Sequence, residues 1–336
     1  MPKPLKAQVM VITGASSGIG LATAVTAAQR GAKVVLSARN ERDLNAAVDY
    51  IRGGGGDAIA VVADVTRQAD MERLAHRAIE TFGRIDTWVN NAGVAVYAPF
   101  RQLPPDDARR IMEVNFFGQL HGARAALPHL EKTGGALICV ASALSDRASP
   151  FMSLYSASKH AVAGWADALR VELQKAGSPV RITVVKPGSI NTPLYHNART
   201  LLGVHPRPVR PVYDPQLAAD AILRAATHKV REVFVGGAGK LLSVGERISP
   251  SLNDLALRAY MFRAHKTDWP KRSDAPSNLY APVEHDGGIR GVFLEEAHHR
   301  SVYQFLQPRL RLAMMLAGAA AGIALSRRIR ARAARR

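Results

Sequence analysis

The chain runs to 336 residues, 47% apolar and 6% aromatic, which allows a real core in one large α/β domain with an appendage or in two modest domains. Its single cysteine, Cys139, rules out an intramolecular disulfide and fits a reducing compartment; set in the apolar run 136–140, it reads as a small buried hydrophobe. The net charge of +18 belongs partly to a tail, since no acidic residue follows Glu296 while nine arginines do, and without a nucleic-acid module or interleaved aromatics it argues against a nucleic-acid partner.

In chain order, residues 1–6 carry no secretory signal and lead straight into a strand-like run. Strands are predicted over 8–13, 33–38, 58–63, 87–91, 136–141, 181–186 and 232–236. These runs are continuously apolar, as in a parallel sheet covered on both faces. Helical patterns fill the gaps, among them 20–30, 41–52 and 68–82, with Asn40 and Thr66 placed as N-caps for the latter two. The alternation predicts a doubly wound, mostly seven-stranded parallel α/β sheet of Rossmann type, with ligands at the strands' C-terminal ends. Residues 190–215 hold five prolines and cannot be one helix. The expected division is a catalytic body over 1–240, a helical then irregular extension over 241–311, and an apolar helix with a basic tail over 312–336.

The first strand enters Thr13-Gly14-Ala15-Ser16-Ser17-Gly18-Ile19-Gly20 and a helix follows at once. Glycines at such a turn let the backbone approach a pyrophosphate, and the helix N-terminus offers free N–H groups and a positive dipole end. The second strand ends Ser37-Ala38-Arg39. A free ribose 2′-hydroxyl calls for an acid here and a 2′-phosphate for an arginine, so Ala38 and Arg39 favour NADP(H) over NAD(H). Asp64 is placed either to accept from an adenine amino group or to cap the next helix.

These features, taken with those downstream, resemble the short-chain dehydrogenase/reductase family over residues 8 to about 240. Thr13, Gly14, Gly18 and Gly20 fill its glycine turn, Asn90-Asn91-Ala92-Gly93 its Asn-Asn-Ala-Gly stretch, and Pro187, Gly188 and Thr192 its Pro-Gly pair and following threonine. Its catalytic Asn, Ser, Tyr and Lys are matched by Asn115, Ser142, Tyr155 and Lys159. The resemblance implies a Rossmann body binding a nicotinamide cofactor through Gly14, Ser16, Ser17, Gly18, Ile19, Gly20, Arg39, Asp64, Val65, Asn91, Ala92, Gly93, Tyr155, Lys159, Pro187, Gly188, Ile190 and Thr192. No metal is implied, and His298 and His299 beside Glu295 and Glu296 form no recognised ligand motif. It also implies that Asn115 positions a water linking Lys159 to solvent, and that helices near 104–130 and 153–176 make homo-oligomer contacts.

Tyr155 and Lys159 stand four apart in a helical pattern and share one face. A lysine ammonium beside a phenol favours the phenolate, so Lys159 is expected to lower the tyrosine's pKa from about 10. Ser142 is expected to hold a substrate oxygen against Tyr155. The substrate end draws on Val94, Val96, Tyr97 and Phe100, on Leu144, Phe151, Met152 and Leu154, and on Ile190, Leu194, Tyr195, Leu201, Leu202 and Val204. That lining points to an apolar carbonyl or alcohol. The function expected is therefore an NADP(H)-dependent carbonyl–alcohol oxidoreductase; a cofactor-binding scaffold and a 3-oxoacyl reductase of fatty-acid type are the alternatives. Residues 312–325 are uncharged and apolar, about 21 Å as a helix, and end in arginines. They read either as a helix associated with the cytoplasmic face of a membrane or as a soluble helix packed on the body or a partner subunit.

Overall fold

The computed structural model describes residues 2–284, 287–304 and 306. Its centre is a seven-stranded parallel sheet of β1 (Val9–Thr13), β2 (Lys33–Ala38), β3 (Ala58–Val62), β4 (Thr87–Asn90), β5 (Ala136–Val140), β6 (Arg181–Pro187) and β7 (Glu232–Val235). The strand order is β3-β2-β1-β4-β5-β6-β7, so the order reverses between β1 and β4 and opens a crevice at their C-terminal ends. Every predicted strand is present. β1, β4 and β5 are buried along their whole length, which is why their sequences do not alternate.

On one face lie α1 (Gly18–Gln29), α2 (Glu41–Gly53) and α7 (Pro215–Thr227), whose alanine-rich surfaces join Met10, Ile12 and Leu36 in one core. On the other, α3 (Gln68–Phe82), α4 (Pro105–Met112), α5 (Gly118–Thr133) and α6 (Ser153–Lys175) pack around Trp88, Leu137 and Val162. Asn40 caps α2 as expected, accepting from the Asp43 N–H at 3.2 Å. Thr66 does not cap α3, which begins after Arg67. Its N–H and hydroxyl both donate to the Asp64 carboxylate, at 2.9 and 2.8 Å, so a tight turn consumes the residue that was to start the helix.

After β6 the proline-rich segment forms a one-turn helix, Leu194–Asn197, and short strands instead of a long helix. Beyond β7 come α8 (Gly237–Ile248) and α9 (Pro250–Ala264), and then Lys266–Pro270, which pairs antiparallel with Val204–Pro206. Residues 278–284 and 287–293 run back over the C-terminal edge of the sheet. The stretch 312–325 and its arginine tail lie outside the described residues. Among those described, no helix is long and apolar enough to cross a membrane.

Candidate active site

The glycine turn is fixed by space as well as by backbone angle. Gly14 and Gly18 hold φ of +64° and +54°, a region side chains disfavour. A Cβ on Gly20 would stand 2.1 Å from the Gly14 carbonyl oxygen, so only glycine lets α1 start so close to β1. Asn91 ties the turn to β4 by donating to the carbonyls of Thr13 and Gly14 at 2.9 and 3.1 Å. From this cradle a cavity of about 470 Å³ runs past Arg39, Asp64, Val65, Asn91, Ala92 and Gly93 to Tyr155, Lys159, Pro187, Gly188, Ile190 and Thr192. Gly14, Ser16, Ser17, Gly18 and Ile19 line its end at the glycine turn, whereas Gly20 and Asn115 stand behind the wall. A crevice this shape, walled by a glycine cradle with helix N–H groups, fits a dinucleotide.

Asp64 is already engaged. Beside Thr66, its carboxylate pairs with Arg110 at 3.0 Å. Burial pushes its pKa up, but the hydrogen bonds from Thr66 and Arg110 outweigh this and hold it below the usual value of 3.8. Of the two roles open to Asp64, the local turn before α3 is thus occupied.

Asn115 lies in a wide π-turn, Glu113–Phe117, inserted between α4 and α5. Its amide oxygen accepts from the Val94 N–H at 2.8 Å, and its amide nitrogen donates to the Val94 carbonyl at 3.0 Å and the Ser158 hydroxyl at 3.1 Å. Ser142 follows β5, where its hydroxyl accepts from the Leu144 N–H and bonds the Tyr155 phenol. Lys159 is buried one turn along α6 from Tyr155, donating to the Val140 carbonyl at 3.0 Å, with its ammonium 5.6 Å from the Tyr155 ring centroid. A Cβ on Gly93 would come within 3.4 Å of the Asn115 amide oxygen and 3.6 Å of the Lys159 ammonium, so that glycine keeps the gap between them open.

The electrostatics correct one expectation. Tyr155 is not lowered here: burial pushes it up to about 12, opposed by the bond from Ser142. Lys159 is brought down to about 8, again by burial. For both groups the loss of solvent on burial is the largest effect, and it outweighs the help each could give the other's charged form.

The apolar end of the cavity is built by Val94, Tyr97, Leu144, Met152, Ile190, Leu194 and Tyr195. Val96, Phe100, Phe151, Leu154, Leu201, Leu202 and Val204 do not line it. Val96 and Tyr97 form a two-residue strand, so they point opposite ways, Val96 into the core. Phe100 is 72% exposed, and Phe151, at a φ of +65°, turns onto Phe262 of α9 with ring centroids 5.1 Å apart. Sequence reading missed the other wall: Leu241 and Leu242 of α8, Tyr260 and Met261 of α9, and a buried pair in which Ser149 Oγ meets His265 Nε2 at 2.7 Å. His265 closes α9, and nothing local in its sequence signals that partner. Arg210, also on the cavity lining, pairs with Glu296, as does Arg207, and His299 lies against Asp214.

The short chain dehydrogenase family model matches residues 8–201. The chain belongs to the short-chain dehydrogenase family. An uncharacterized oxidoreductase of Bacillus subtilis (strain 168) is 42% identical over 281 residues, 83% of this chain and 79% of that protein. An 11-beta-hydroxysteroid dehydrogenase A of Sesamum indicum is 35% identical, over 67% of each chain. Among solved structures, an alcohol dehydrogenase from the archaeon Thermococcus sibiricus, complexed with 5-hydroxy-NADP, superposes with a TM-score of 0.60 at 26% identity, covering 68% of this chain and 95% of its own. This short-chain dehydrogenase is accordingly an oxidoreductase, built on a fold that implies a nicotinamide cofactor.

Proposed function

We propose that this short-chain dehydrogenase uses NADP(H) to interconvert a carbonyl and an alcohol on a hydrophobic substrate, with Tyr155 as acid and base. The observation that carries the reading is the Tyr155 phenol, bonded to Ser142 and backed by the buried Lys159, inside a cavity that joins the glycine cradle to an apolar wall. A bound nicotinamide supplies the hydride donor or acceptor. The chain's own part is to hold the substrate oxygen between Ser142 and Tyr155, and to move one proton at the phenol oxygen. Lys159 favours the phenolate as it develops, and Asn115, clamped to Val94, keeps the space behind Lys159 open to a proton-carrying water.

Arg39 beside the cavity and the absence of an acid at Ala38 support NADP(H). The solved relative bound to a 5-hydroxy-NADP agrees with that choice, and the relatives named as hydroxysteroid dehydrogenases agree with an apolar substrate. The test is NADPH consumption over a panel of apolar ketones and aldehydes, repeated with NADH and with Tyr155→Phe. Turnover is expected with NADPH, falling about a thousandfold in the variant while NADPH binding persists. Undiminished turnover in Tyr155→Phe removes the acid/base assignment, and equal use of NADH removes the cofactor preference.

Two further parts of the proposal concern assembly: a homo-oligomer through the α4–α6 side, where Phe117 and Val171 are exposed, and an anionic membrane surface for the tail over 312–336. Sedimentation of the full chain with and without anionic vesicles tests both. A monomer sinks the first, and failure to co-sediment sinks the second.

A further inference from the structure

Residues 278–283 and 287–291 of the extension lie across the mouth of the cofactor cleft. The carbonyls of Asn278 and Tyr280 accept from the Arg39 guanidinium at 2.5 and 3.0 Å, and the Val283 carbonyl accepts from the Asn40 amide at 3.2 Å. At the phosphate end, the Gly288 carbonyl accepts from the Gly18 N–H at 2.9 Å, the first N–H of α1. Asn278 and Pro282 line the same cavity as Ser16 and Arg39, so there is space beneath this segment as well as contact with it.

Both ends are anchored. Leu279 is wholly buried in the core, its carbonyl accepting from Arg110 at 3.2 Å, and the Tyr280 hydroxyl donates to Asp107 at 2.9 Å. At the far end Arg290 pairs with Asp214 at 2.6 Å, and the Gly291 N–H donates to the Asn191 carbonyl at 3.1 Å. Among the described residues between the anchors, Val283 and Gly288 each accept a single hydrogen bond from the cleft through their backbone carbonyls. Such a segment opens far more readily than a core strand.

We propose that these residues are the outer wall of the dinucleotide site, a strap that holds Arg39 at the adenosine end and lifts for the dinucleotide to pass. The proposal rests on the cofactor reading above, but not on the choice of NADP(H) over NAD(H). Passage requires the bonds from Gly18, Arg39 and Asn40 to the strap carbonyls to open, so the strap slows association and dissociation alike.

Gly288 offers a direct perturbation. Its φ of +109° is strained for any other residue, yet the nearest atom to an added Cβ is the Arg290 carbonyl oxygen at 3.9 Å, so Gly288→Ala disturbs the strap's conformation without a clash. Arg290→Ala loosens the anchor at Asp214 independently. Stopped-flow fluorescence with NADPH gives both rate constants, and in Gly288→Ala each is expected to rise about tenfold, with Kd changing less. Limited proteolysis within the strap should quicken in both variants and slow when NADPH is bound. Rate constants within about twofold of wild type in both folded variants overturn the strap while leaving the cofactor reading intact. Failure of the wild-type chain to bind either NADPH or NADH overturns the cofactor reading and the strap with it.

Discussion

Burial sets the chemistry of Tyr155 and Lys159 more than their proximity does. A phenol held up to about 12 is a proton donor at neutral pH, which suits carbonyl reduction. Lys159, drawn down to about 8, is the group whose charge is at risk there. The sign follows from the direction of that shift: as pH rises through about 8, Lys159 loses its proton and its help to the developing phenolate. Reductive kcat/KM is therefore expected to hold below pH 8 and to fall above it. Lys159→Arg, whose guanidinium stays charged, should carry that limb upward by about one pH unit or more, even if the plateau drops. A pH profile with the same alkaline limb in both proteins would show that another group sets it. The motif residues themselves were legible in the sequence because each is a side chain whose type and spacing the chemistry requires. The bond between Ser142 and Tyr155 and the two-sided clamp of Asn115 on Val94 were not, since both depend on main-chain paths set elsewhere.

At the scale of elements, legibility followed the physical origin of each signal. All seven strands were readable because a strand covered on both faces needs an unbroken apolar run, and β1, β4 and β5 supply one. The cap at Asn40 was readable for the same reason of local chemistry, whereas Thr66 was a competent cap captured by the Asp64 carboxylate two residues earlier. The π-turn at Glu113–Phe117 follows no proline and leaves no mark in the sequence; it is stabilised by the tertiary bonds of Asn115. In the substrate segments an apolar residue is as much at home in the core as in a cavity wall, so Val96 and Tyr97 could not be told apart until their strand direction was known. The strap was the least visible element. Its contacts to Gly18, Arg39 and Asn40 are made by backbone carbonyls, which every residue carries, and its sequence is polar without a period.

Across the whole molecule, the extension is part of the body's interior, because α9 ends by placing His265 against Ser149 and Tyr97 inside the apolar end of the cavity. His265 is 5% exposed, and burial pulls its pKa from 6.5 down to about 4. A histidine lowered on folding binds fewer protons in the native state than in the unfolded chain. Its contribution to stability is complete above pH 6.5, shrinks as pH falls through that window, and is gone below about 4. A shift of that size amounts to as much as about 3 kcal/mol. The carboxylates held below 3.8, among them Asp64 and Asp146, act only at still lower pH, so the two effects separate. His129 and His205 are also lowered by burial but are only part-buried, so they leave a residual slope. Unfolding free energy measured between pH 7.5 and 4.5 should therefore fall steeply in the wild type and less steeply in His265→Gln, which keeps a polar partner for Ser149. Equal slopes would mean that His265 accepts a proton without leaving the fold, and the α9 end would then be a loosely docked flap instead of a wall of the site.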